Sequence, residues 1–230
     1  MECSTIRGVQ VLLPAVEEEF LTATNSLDVG NEGKLAEFVY AGSDLRQLSL
    51  NDIALSTGRV ADLRVQRVVF HGLRVSSVEF VDCELSELRW SDSKLSRVKF
   101  TNCKLLGAAF DDVTLDDVMF ERCRLDYAGF ASSPAVNRYR GAGGLIFTGC
   151  SLQEAAFTGV DLSRALFDEC ELRRTEFVGG HLRGCDLRGQ DLSAIRGVGS
   201  LKGVTIERSQ VHQLGEALAA ELDVTYGEDA

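Results

Sequence analysis

From residue 45 onwards the chain places a large apolar side chain at nearly every fifth position, with polar residues between. The row runs Leu45, Leu50, Leu55, Val60, Val65, Phe70, Val75, Phe80, Leu85, Trp90, Leu95, Phe100, Leu105, Phe110, Leu115, Phe120, Leu125 and Phe130. It breaks after Ala135 and resumes at Phe147, Leu152, Phe157, Leu162, Phe167, Leu172, Phe177, Leu182, Leu187 and Leu192. Between Phe100 and Leu125, Phe and Leu take strict turns, so a period of ten lies over the period of five. Neither regular element accounts for this. Fifth residues scatter around an α-helix, and on a strand they alternate between faces. One buried side chain per five residues requires the backbone to turn once in each repeat. Four such turns close a square coil of about twenty residues, and stacked coils hydrogen-bond to one another at ~4.8 Å.

A second inward position lies two residues before each large one and holds a small or medium side chain. Val78, Cys83, Val98, Cys103, Ala108, Val113, Val118, Cys123 and Ala128 occupy it, and after the break Cys150, Ala155, Val160, Ala165 and Cys170. Large and small residues at the two inward sites pack without voids. The other three positions of each repeat are mostly charged, Ser, Thr or Gly, and are expected to face water or to form the corners.

The units CELSE, VKFTN, CKLLG, AAFDD, VDLSR and CDLRG carry the pattern A/C/V-x-L/F-x-x, which resembles the pentapeptide-repeat family over about residues 40–210. The resemblance implies an all-β protein: a right-handed quadrilateral β-helix of about seven coils with a short C-terminal capping helix. The expected organisation is an N-terminal cap segment at 1–40, a repeat β-helix at 41–208 with a loop near 131–146, and a C-terminal helix and tail at 209–230.

Cys83, Cys103 and Cys123 are spaced by one coil, as are Cys150 and Cys170, but 123 and 150 are 27 apart. A seven-residue insertion at 136–142 restores both this column and the Phe/Leu alternation; three repeats plus two extra residues would break both. Metal-binding cysteines come in local pairs that converge on one point. Thiols strung along an axis, with no His among them, read instead as small buried hydrophobes, and so does Cys185.

At the C-terminus, Val211, Leu214, Leu218 and Leu222 fall on one helical stripe, with Ser209 as N-cap. A helix at about 210–222 is expected to lie over the last coil or to pair with another subunit. This tail is similar to those of the quinolone-resistance members of the family, which implies an end-to-end homodimer. Residues 1–40 show no lattice, and EEEFLTATNSL reads as partly helical.

The composition fits a folded domain of 230 residues, 45% hydrophobic and 26% charged. No apolar run has the ~18–20 residues that a membrane span needs. The N-terminus reads as no secretory signal, and 7 Cys then point to the reducing cytoplasm. The net charge is −11, but residues 1–44 hold 8 Asp and Glu against 2 Lys and Arg, so much of the acidity lies outside the repeats.

Candidate chemistry is sparse. Asp111, Asp112, Asp116, Asp117 and Glu121 form the densest carboxylate cluster, on positions expected to splay outward. Arg138, Tyr139 and Arg140 make the loop basic and aromatic, suited to an acidic surface. These eight residues are the candidate partner-binding set. Gly143–Gly144 lacks the lysine-bearing pattern of a phosphate loop, and a filled solenoid has no internal pocket. The reading is therefore a non-catalytic protein without cofactor or metal, which binds a protein and neither nucleic acid nor membrane directly. Two functions remain: a rigid scaffold for an unknown partner or, as the gyrase-protecting members of the family imply, a DNA mimic on DNA gyrase.

Overall fold

A computed structural model describes residues 3–27, 29, 33–133, 143–225 and 227. The elements in chain order are β1 (Cys3–Ile6), β2 (Val9–Leu12), β3 (Thr22–Ala23), β4 (Lys34–Ala41), β5 (Asp44–Asn51), β6 (Ala54–Ala61) and β7 (Arg64–His71). There follow β8 (Arg74–Val81), β9 (Arg89–Ser91), β10 (Lys94–Thr101), β11 (Ala109–Asp111), β12 (Thr114–Glu121) and β13 (Gly129–Ala131). The last are β14 (Leu145–Thr148), β15 (Ala156–Thr158), β16 (Ala165–Asp168), β17 (Glu176–Val178) and the α-helix α1 (Val211–Glu221).

β3 and the even strands β4 to β16 stack as an eight-stranded parallel wall, and the odd strands β5 to β17 as a seven-stranded one. The pairs are twenty residues apart, Phe80 beside Phe100 and Phe100 beside Phe120. A third side is joined by single bridges from Arg64 through Glu84, Lys104 and Arg124 to Ser151 and Glu171. The molecule is a β-solenoid with one five-residue side per repeat. Across the break, Phe120 pairs with Phe147 and Phe130 with Phe157, a spacing of 27 that fits a seven-residue insertion. The expected insertion at 136–142, with Arg138, Tyr139 and Arg140, lies outside the described residues.

Phe side chains fill two opposite sides. Phe80, Phe100, Phe120, Phe147 and Phe167 stack at 4.8–5.0 Å with rings nearly parallel. They meet the column of Trp90, Phe110, Phe130, Phe157 and Phe177 edge-on, as Phe120 meets Phe110 at 78°. Each such contact adds roughly 0.5–1.5 kcal/mol beyond its buried area. Trp90 pays for its size with an indole nitrogen that is buried without a partner among the described residues.

The corners explain the residues between. Asp52, Asp62, Asp82, Asp92, Asn102 and Asp112 all have φ near +50°, and Gly42 and Gly72 hold the equivalent positions at +65° and +66°. Asp, Asn and Gly tolerate this left-handed conformation best. The five cysteine thiols of the column each donate to a backbone carbonyl, as Cys103 does to Phe80 at 3.4 Å. Contact with Cys103 and burial both push the Cys83 thiol up, and burial beside Asp186 pushes Cys185 up to about 12. These thiols are lattice residues.

Both ends depart from expectation. Residues 1–40 are not a cap apart from the lattice, because β3 and β4 already belong to the wall. The stretch expected to be partly helical forms only a 3-10 turn at Glu18–Phe20. β1 and β2 make an antiparallel hairpin that lies against the flank of the solenoid, far from the first coil.

At the other end, α1 does cover the last coils, but with a polar face. The Gln210 amide donates to the carbonyls of Leu187 and Gln190 at 2.8 and 2.7 Å. Gln213 accepts from the Leu192 amide at 3.1 Å and Glu221 from that of Val198 at 2.9 Å. Ala217 is buried and Leu214 half-buried, whereas Val211, Leu218 and Leu222 are 59%, 41% and 65% exposed. Of the predicted stripe Leu214 packs on the axial core beside Ala217, while the other three face outward; a coil end also presents unpaired N–H and C=O groups, and amide side chains satisfy them where leucines cannot. Glu207, not Ser209, begins the helical segment, in a reciprocal capping box with Gln210.

Candidate interaction surface

After Val39 on β4, the outward residues of the eight-stranded wall continue in strict register as Arg59, Glu79, Lys99, Met119, Ile146 and Leu166. The first half is charged. The Arg59 guanidinium donates to Glu79 at 2.9 Å and also pairs with Glu18, and Lys99 meets Glu121 at 2.7 Å. The second half is apolar, and the hairpin covers it. Val11 is fully buried against Met119, Ile146 and Leu166, with Ile6, Val9 and Leu13 around it. This cluster lies on the outside of the solenoid, separate from the axial core.

Polar contacts hold the hairpin at both ends. At its turn, Arg7 pairs with Asp168 at 2.6 Å and donates to the Arg188 carbonyl. At the end of β2, the Leu12 amide donates to Asp117 at 3.1 Å. These three contacts reach 105 to 181 positions along the chain.

The structure gives the predicted carboxylates separate partners rather than one splayed outward patch. Asp112 accepts from the Ser133 amide, and Asp116 from the Gly143 amide at 2.7 Å. Asp117 accepts from Gly144 at 3.3 Å as well as from Leu12. These three half-buried side chains hold Ser133 and Gly143–Gly144, on either side of the insertion, against the wall. The backbone N–H groups of the returning chain find acceptors there that the regular ladder does not supply. Glycine is required at the return, since a Cβ on Gly143 would sit 2.4 Å from the Asp117 amide and one on Gly144 2.5 Å from the Gln10 carbonyl.

Glu121 is engaged by Lys99 and Arg122. Burial pushes its carboxyl up, but those two cations outweigh burial and leave it below the usual range. Asp186 behaves alike: burial raises it, and the fork of Arg188 brings it down. Of the predicted cluster, Asp111 is the exposed member without an ion pair among the described residues. Sequence reasoning missed Met119, Ile146 and Leu166, although each is an apolar residue in an outward slot. It also missed Arg7 and Val11, for which no repeat provides a signal.

Among the described residues, no group of His, Cys, Asp and Glu is arranged to hold a metal, and no helix is long and apolar enough to cross a membrane. The geometry defines a side-chain-filled β-solenoid whose chemistry lies on its outer walls. The pentapeptide-repeat model matches 8 copies, over residues 79–117, 93–128 and 147–189, so these parts of the chain are pentapeptide repeats. No curated protein matches the chain. Among solved structures it is similar to full-length QnrB1, a plasmid-mediated fluoroquinolone resistance protein, at 20% identity over 77% of this chain and 99% of that one, with a TM-score of 0.43. It is also similar to HetL, a pentapeptide-repeat protein involved in heterocyst differentiation regulation from the cyanobacterium Nostoc sp. strain PCC 7120. That match has 18% identity over 70% of this chain and 75% of HetL, with a TM-score of 0.37.

Proposed function

We propose that the protein is a non-catalytic, cytoplasmic scaffold that presents its rigid outer walls to a partner protein. The observation that carries this reading is the filled interior: Phe100, Phe120, Phe147 and Phe167 are fully buried along the axis, so ligand chemistry is confined to the surface. Flat parallel walls with short, regular side-chain spacing suit a protein partner, and they need no uniform charge. Asp111 and the loop residues Arg138, Tyr139 and Arg140 stay in the candidate contact set. The exposed row Val211, Leu218 and Leu222 is the candidate homodimer surface.

The second reading is the DNA mimic, favoured by the net charge of −11. A phosphate-like surface needs a continuous run of unpaired negative charge. The ladders Arg59–Glu79, Lys99–Glu121 and Lys104–Glu84 alternate in sign, which tells against it. A gyrase supercoiling assay separates the two. The scaffold reading expects no inhibition, and no protection from a quinolone, at micromolar protein. Salt-sensitive inhibition at that concentration would overturn it in favour of the mimic.

A further inference from the structure

The outward row Met119, Ile146 and Leu166 is an anomaly in a lattice whose outward slots are otherwise mostly polar. In isolation it would be a continuous apolar strip across three rungs, flanked by the carboxylates of Asp117 at one end and Asp168 at the other. What seats on it is an extended segment with a simple code. Val9 and Val11 alternate toward the strip, a backbone amide meets Asp117, and an arginine two residues before Val9 meets Asp168. The hairpin forms its own two-stranded sheet and joins neither wall by strand pairing. Its connection runs back along the flank through Glu18, which meets Arg59, to β3 at the first rungs. A groove of about 600 Å³ remains beside it, lined by Gln10, Leu12, Asp116, Asp117, Gly143 and Arg164.

We propose that this strip is a binding site for an extended protein segment carrying alternating apolar residues and an arginine, and that the chain's own N-terminal hairpin occupies it as a tethered competitor. The occupant is recognised by the chemistry the hairpin now supplies: two β-branched side chains against Met119, Ile146 and Leu166, and a guanidinium on Asp168. A ligand tethered by a short flexible linker acts at an effective concentration of roughly millimolar. A partner must therefore outcompete the hairpin or catch it undocked, and the site stays masked from weak, non-specific apolar contacts. This rests on the scaffold reading only in taking the occupant to be protein. A gyrase result would leave peptide binding unmoved, so the two ideas fail separately.

The test uses the full chain and a fluorescein-labelled peptide of residues 3–13, CSTIRGVQVLL, followed by anisotropy. Val11→Asp places a charge against Ile146 and undocks the hairpin. The variant is expected to bind the peptide at least tenfold more tightly than the wild-type chain does. Adding Ile146→Asp should abolish that binding, and a peptide with Arg7→Glu should bind about tenfold more weakly or worse. Emission of the single tryptophan, Trp90, reports whether the rungs stay folded. Should Val11→Asp fail to fold, Arg7→Glu in the full chain gives the same readout. A folded variant that ignores the peptide, or a wild-type chain that binds it equally well, would overturn the proposal. Light scattering completes the test: a wild-type dimer that Arg7→Glu dissociates would make a second copy the occupant and overturn the partner reading.

Discussion

Two halves of one wall solve the same problem in opposite ways. Arg59, Glu79 and Lys99 occupy the outward slots of β6, β8 and β10, and Met119, Ile146 and Leu166 those of β12, β14 and β16. The parallel pairing is the same in both, and a phenylalanine lies beneath every rung but β6, where Val60 takes its place. In the charged half the side chains neutralise one another rung to rung and leave the wall open to water. In the apolar half they cannot, and a hairpin from the other end of the chain covers them. The fold is therefore indifferent to the outward slot. The residues placed there decide whether the wall is bare or occupied, and the repeat lattice is a neutral base for surface chemistry.

The largest effect should come from below both halves. Phe120→Ala removes a ring stacked on Phe100 and Phe147 and edge-packed on Phe110 and Phe130. It is expected to cost about 3–5 kcal/mol, read from urea denaturation. A cost below about 1 kcal/mol would mean that the column is not packed as described. On the apolar half, Ile146→Ala is expected to cost about 2–3 kcal/mol at most. The loss is limited there, because once it exceeds the docking free energy the hairpin lifts while the rungs stay folded. Hydrogen exchange should then rise in residues 3–12 alone. On the charged half, Arg59→Ala should cost no more than about 1 kcal/mol, and less in high salt. Equal costs for Ile146→Ala and Arg59→Ala would erase the distinction between the halves.

The smallest effect is a pH dependence. Glu121 and Asp186 are depressed in the fold, so each ionises more readily folded than unfolded. Their contribution is fully present above the ordinary carboxylate range, about pH 4, and is lost as pH falls through the lower folded values. The melting temperature should drop on acidification below that range, and Glu121→Gln should make the drop shallower. A drop unchanged by Glu121→Gln would remove that pair from the account.

The solenoid was legible because each coil repeats the same five-residue instruction, so any local error is outvoted by its neighbours. The 27-residue step from Cys123 to Cys150 located the insertion for the same reason. What escaped were contacts with no period. Nothing in Arg7 or Val11 announces a partner more than one hundred residues away. The helix itself was legible from its spacing, but not which of its side chains meet the coil. Of the stripe Val211, Leu214, Leu218 and Leu222, Leu214 packs on the core, and Gln210, Gln213 and Glu221 take the backbone groups at the coil end. The acidic cluster looked like a surface because the amides that donate to it belong to an irregular return at Ser133 and Gly143 that no lattice specifies.

The difference between the two halves depends on the hairpin lying against the outside of the wall. Methyl-labelled NMR tests this directly, through cross-peaks from the Val11 methyl groups. The structure predicts cross-peaks to the methyls of Met119, Ile146 and Leu166, with chemical shifts unlike those of a free chain. Val11 methyls at random-coil positions, with no cross-peak to Ile146, would contradict it.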